Sequence, residues 1–104
     1  MKIGIDFDNT LIKHKRIPTS RNGFDDKPMK YAVDAVKHLL KHRHQLYILT
    51  SRYNNEWVKI HDWLKKWGFP ELEVTNIKKH RTSLIIDDRA IRFTNWPDVC
   101  RYLA

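Results

Sequence analysis

The stretch KIGIDFDNTLI (residues 2–12) decides the reading of this chain. A short apolar run, Ile3-Gly4-Ile5, ends abruptly on Asp6 and Asp8, with a hydroxyl at Thr10. Extended backbone puts residues 6, 8 and 10 on one side; a turn lets the same side chains converge on one point. Both arrangements crowd two negative charges where the chain leaves a core, and something positive is expected to meet them.

Working outward, residues 2–6 read as a buried strand and 11–28 (LIKHKRIPTSRNGFDDKP), with two prolines and a glycine, as a long loop or flap. Ala32, Val33, Val36, Leu39 and Leu40 follow helical spacing, which predicts a helix over 29–41 with Lys37, His38 and Lys41 outward. QLYIL (45–49) is the second strand, ending at Thr50-Ser51. Asn54 or Asn55 can cap a helix to about Trp67, with Trp57, Ile60, Leu64 and Trp67 as its inner stripe, His61 partly buried beside it, and Gly68 as its stop. LEVTN (72–76) and SLIID (83–87) are further strands, and Asn95 caps a short helix through Leu103 in which Cys100 is expected to pack.

Alternating strands and helices indicate an α/β fold, a Rossmann-like parallel sheet with helices on both faces in three layers. Ligands in such sheets bind at the carboxyl ends of the strands. There stand Asp6-Phe7-Asp8, Thr50-Ser51 and Asp87-Asp88, with Lys78 and Lys79 between the third and fourth strands. The polar residues thus form one constellation drawn from separate segments.

With 104 residues, 41% hydrophobic and 12% aromatic, the chain reads as one domain, 1–104, able to bury a core unaided. No apolar run approaches the ~20 residues that cross a bilayer, and Asp6 and Asp8 break the N-terminal stretch that a signal peptide would need. A single cysteine, Cys100, excludes an intrachain disulfide and a cysteine-based zinc site, and fits a reducing cytoplasm. The charge of +8, with a pI near 9.8, favours anionic partners. Much of it is spread along helices (Lys37, Lys41, Lys59, Lys65, Lys66), as on a solvated face.

The acids are more informative. Two unit charges about 4 Å apart repel by roughly 4 kcal/mol at an effective dielectric near 20. Asp6, Asp8, Asp87 and Asp88 around one cleft must therefore hold protons or share a cation. Oxygen-only ligands suit a hard ion, and magnesium is the expected one. A magnesium ion with a lysine and the Thr50 hydroxyl makes a phosphate site. Asp6 could attack phosphorus and Asp8 could carry the proton traffic.

At this point DFDNT (6–10), ILTSR (48–52), a lysine before the last strand and IIDD (85–88), in this order, resemble the haloacid-dehalogenase-like phosphatases. The resemblance runs from about residue 1 to 95. It implies Asp6 as nucleophile and Asp8 as acid/base. It also implies magnesium on the Asp6 carboxylate, the Asp8 backbone carbonyl and Asp87, with Asp88 beside it, and phosphate on Thr50, Ser51 and Lys79, Lys78 being the fallback. An aspartate at position 8 favours phosphate chemistry over dehalogenation in that family. IDDRAIRFTNW (86–96) further resembles small members of unassigned substrate, which makes Arg89 and Trp96 candidates. Family members usually carry a cap domain, and neither interval here can hold one. Only loop 11–28 remains to cover the site, unless a second subunit or the substrate itself supplies the rest.

The resulting expectation is a magnesium-dependent phosphomonoesterase working through an aspartyl phosphate. Its partner would be a phosphorylated small molecule or a nucleic-acid end, with no membrane partner and a homo-oligomer as a candidate to complete the open site. The alternatives are a polynucleotide end-processing (3′-)phosphatase, with KHKR (13–16) beside the site, and a non-catalytic module of the same fold that binds nucleic acid or protein.

Overall fold

A computed structural model of the chain describes residues 1–15 and 23–104. Four parallel strands, β1 (Lys2–Ile5), β2 (Gln45–Leu49), β3 (Glu73–Thr75) and β4 (Leu84–Ile86), lie in the order β3-β2-β1-β4. Helices α1 (Ala32–Lys41), α2 (Trp57–Lys66) and α3 (Trp96–Leu103) complete an α/β fold. None of them is long and apolar enough to cross a membrane.

Register explains where the core sits. Ile3 pairs with Leu46 and Leu84, and Ile5 with Ile48 and Ile86, so these side chains share one face of the sheet. The core is built on that face: Ile3, Ile5, Ile48 and Val74 pack with Val36 of α1 and with Ile60, Trp63 and Leu64 of α2. Phe7, fully buried, meets the Trp63 ring edge-on at 5.2 Å. Both helices occupy one side because β1→β2→β3 advances in one direction and right-handed crossovers then return on one face.

The opposite face carries Gly4, Tyr47 and Ile85, again by register. Its covering layer is the connection between β3 and β4. There the Tyr47 hydroxyl meets Thr82 Oγ1 at 2.7 Å and accepts the Lys79 N–H at 3.2 Å. Gly4 leaves the room that Tyr47 fills: a Cβ at position 4 would stand 2.9 Å from the tyrosine oxygen.

Strand positions match the sequence expectation within a residue or two, and several helix details differ. The segment before α1 stays non-helical: Tyr31 precedes the helix with a left-handed φ of 69° and provides no side-chain cap. The predicted Asn54/Asn55 cap is replaced by a 3-10 turn, Asn54–Glu56, with no side-chain cap bond. Trp63 supplants the exposed Trp67 in the inner stripe, and His61 and Cys100 are exposed instead of packed. Gly68 ends α2 as expected, with φ 81° and the Phe69 N–H returning to Leu64 O. Asn95 caps α3, its Oδ1 accepting the Asp98 N–H at 2.9 Å. The two ends of loop 11–28 are tied together, Lys13 N–H to Lys27 O and Met29 N–H to Leu11 O. Its middle, including Arg16 of KHKR, lies outside the described residues.

Candidate active site

β1 delivers the first two acids. The Asp6 N–H donates to Ile86 O at 2.9 Å, carrying the β1–β4 ladder one residue past the strand. The chain then turns on a single carbonyl: Phe7 O accepts the N–H groups of Thr10, Leu11 and Ile12. Asn9 takes a left-handed φ of 59°, which asparagine tolerates well. Phe7 sinks into the core, and the two carboxylates on either side of it diverge.

Asp6 faces the end of β4. It is 8% exposed, and one oxygen from each of Asp6, Asp87 and Asp88 lies within 4.8 Å of the others. Burial, then the Asp87 charge, then the hydrogen bond and charge of Asp88, push the Asp6 carboxyl from the ordinary 3.8 to about 7. Thr10 Oγ1 donates to Asp6 Oδ2 at 3.4 Å. Residues from opposite ends of the sequence therefore meet at one rim because β1 and β4 are neighbours. Three carboxylates without nitrogen or sulfur donors fit a hard divalent cation.

Asp8 faces the other way, toward the segment after β2. Arg52 holds it with a two-pronged contact, Nε to Oδ2 and Nη2 to Oδ1, both 2.9 Å, and reaches Glu56 Oε1 through Nη1 at 2.8 Å. The guanidinium lies over the Phe24 ring, 4.5 Å from its centroid. His14 Nε2 is 2.6 Å from Asp8 Oδ1, and His14 Nδ1 is 3.0 Å from Asp26 Oδ2. Asp26, His14, Asp8, Arg52 and Glu56 thus form a continuous chain. Burial pushes the Asp8 carboxyl up, yet the bonds and charges of Arg52 and His14 outweigh it and hold it below the usual range. Asp26 is lowered too, chiefly by its bond to His14. The Asp8 carboxylate accordingly stands apart from the acidic triad; only its backbone remains a candidate ligand.

Thr50, buried at the end of β2, donates its N–H to Thr75 O at 2.9 Å and accepts the Arg52 N–H on Oγ1 at 3.1 Å, which leaves its hydroxyl proton to donate. Ser51 is exposed. The Lys79 ammonium ends on Glu73 Oε2 at 2.7 Å, whereas Lys78 shares with Asp87 a groove of about 530 Å³ beside β4. Lys78, the fallback, is therefore the lysine that lines a cavity with one of the clustered acids. Arg89 gives its N–H to Asp87 Oδ1 at 2.9 Å and so shapes the turn carrying that carboxylate. Trp96 is exposed on α3.

Sequence reasoning missed Arg52, His14, Asp26 and Glu56. Arg52 and Glu56 stand four apart, a spacing that announces a pair. His14 was hidden inside the basic run KHKR, and no local signal links it to Asp8 and Asp26.

Fold and site together define an α/β protein with a parallel sheet and an acidic rim at the carboxyl ends of β1 and β4. No protein-family model and no curated protein matches the chain. A solved structure does, that of a conserved protein coded by a locus from Bacteroides thetaiotaomicron. It is 21% identical, the match covers 99% of this chain and 88% of that one, and the TM-score is 0.66. That likeness is one of fold.

Proposed function

We propose that the protein is a magnesium-dependent phosphohydrolase of the haloacid-dehalogenase-like type, cleaving a phosphomonoester through an aspartyl phosphate on Asp6. The supporting observation is the meeting of Asp6 with Asp87 and Asp88 within 4.8 Å, beside a turn that carries Asp8 two residues on. So placed, Asp6 keeps a proton near neutrality when no cation is present. A divalent ion supplies the compensating positive charge and screens the repulsion between carboxylate and phosphate.

The chain's own residues account for the remaining steps. The ionised Asp6 oxygen bonds to phosphorus as the bond to the ester oxygen breaks, and the leaving alkoxide takes a proton from Asp8. Water then attacks phosphorus, Asp8 recovers a proton from it, and inorganic phosphate departs with Asp6 restored. Arg52 and His14 favour the ionised form of Asp8, the form that accepts the water's proton. The proton it gives the leaving alkoxide in the first step is one it takes up from solvent or from the monoanionic phosphate ester as substrate binds. Thr50 Oγ1 and Lys78 are the candidate phosphate donors.

The test is turnover of a generic aryl phosphate, alongside phosphorylated metabolites and 3′-phosphorylated oligonucleotides, with magnesium or with a chelator. Activity should require the metal, vanish in Asp6→Asn and fall roughly 10²–10⁴-fold in Asp8→Asn. Metal-independent turnover, or an active Asp6→Asn protein, overturns the reading.

A further inference from the structure

We propose that the C-terminal segment, β4 through α3, is the self-association surface of this protein, with α3 of a second copy seated in the groove beside β4 and the contact repeated in reverse. Lys78 and Asp87 line the same groove, so the partner's helix would sit beside residues of the site proposed above, and the mass of the assembly tests the contact separately from that chemistry.

β4 is an edge strand, and on the face opposite α1 and α2 its Ile85 side chain is 42% exposed. In a parallel sheet both faces are ordinarily covered by helices. Here the connection between β3 and β4 shields Tyr47, and beyond it the groove of about 530 Å³ stays open, lined by Ile85, Ile91 and Phe93 together with Lys78, Asp87 and Arg92. The helix that could cover such a face is α3, yet none of its own residues is buried. It starts just past Phe93, whose ring packs on Trp96 at 5.4 Å, so helix and groove wall are consecutive along the chain. Ile91 and Tyr102 line a second cavity between that wall and the helix. Groove wall and helix are thus joined through the Phe93–Trp96 contact and the cavity shared by Ile91 and Tyr102.

The exposed area approaches the size of a standard interface. Phe93, Trp96 and Tyr102 are 56%, 69% and 71% exposed. Aromatic side chains bury 150–250 Å² each, so these three leave about 400 Å² of bare surface. Ile85, Ile91 and Leu103, between 42% and 72% exposed, add roughly 250 Å² on the same order-of-magnitude scale. The sum, about 650 Å², stands at the upper end of the roughly 300–600 Å² of the largest patch on a typical monomer and approaches the ~800 Å² per partner of a standard interface.

Charge selects a second copy as the occupant. Between residues 84 and 104, Asp87, Asp88 and Asp98 are matched by Arg89, Arg92 and Arg101, so the whole +8 resides on residues 1–83. Two copies meeting through that basic part would repel. Meeting here they bring together a surface that, Lys78 of the groove lining apart, is balanced in charge, with a helix ridge and a groove on each partner.

Sedimentation equilibrium of the full chain across micromolar concentrations gives the first readout. The expected species is a pair of 12.6 kDa chains, in reversible exchange with the monomer. Trp96→Glu on the ridge and Ile85→Glu in the groove should each raise the dissociation constant at least tenfold with unchanged circular dichroism. An equimolar mixture of the two variants should pair more tightly than either alone, because one undamaged ridge still meets one undamaged groove. A wild-type chain that stays monomeric at ~100 µM overturns the proposal; its α3 then folds back or serves a different partner. So does a dimer that both substitutions leave intact, or a mixture no tighter than its components. The wild-type mass decides the matter even if a variant fails to fold.

Discussion

Replacing Asp6 by asparagine should stabilise the protein at neutral pH while destroying its proposed activity. In the folded chain the Asp6 carboxyl is pushed from 3.8 to about 7, first by burial, then by the charge of Asp87 and by the hydrogen bond and charge of Asp88. Below about pH 4 the group is protonated whether the chain is folded or not, and it costs nothing. Between about 4 and 7 the unfolded chain ionises and the folded one resists, so stability falls by ~1.4 kcal/mol per pH unit. Above 7 the penalty is constant, at most ~4 kcal/mol from the full shift. Solvent at the rim of the site screens the acidic neighbours, and about half that figure is expected. An asparagine side chain, which does not titrate, carries no such penalty. Urea unfolding in a chelator should therefore show Asp6→Asn more stable than wild type by ~2 kcal/mol at pH 8, roughly 10 °C in Tm for a domain of this size, with parity near pH 4. Added magnesium should raise the wild type by ~2–3 kcal/mol once its concentration is about a hundred times its Kd, and should raise the variant less. Equal stabilities at pH 8 without metal, or an equal response of both proteins to magnesium, would show that the three carboxylates do not form a shared cation site.

Two further substitutions probe the scaffold. Arg52→Ala strands Asp8 and the buried Glu56 and should cost ~3–5 kcal/mol in urea melts, with Arg52→Lys intermediate because a lysine keeps the charge but cannot grip both Asp8 oxygens. Gly4→Ala drives a methyl against the Tyr47 hydroxyl, which Thr82 and the Lys79 N–H hold in place, and should cost ~1–3 kcal/mol. A double-mutant cycle should show that cost shrinking on a Tyr47→Phe background; no coupling between the two positions would mean the clash is relieved elsewhere.

The sequence by itself determined the α/β class, the four strands and the residues at their ends. Those depend on apolar runs of strand length and on acids that interrupt them, and both are local properties. It also marked Asp6, Asp8, Asp87 and Asp88 as partners, since a parallel sheet brings all strand ends to one rim. Only the tertiary structure decided that Phe7 divides the first two acids, sending Asp6 to the triad and Asp8 to Arg52 and His14. Likewise the choice between Trp63 and Trp67 as the core tryptophan depended on how α2 is rotated against the sheet, a few tens of degrees that helical spacing cannot fix. Whether α3 would cover its own sheet or leave β4 bare was a matter of where the chain goes after Asp88. The physical reason is the same in each instance. Periodicity states which side of an element is apolar, and contacts between residues distant in sequence decide what that side meets.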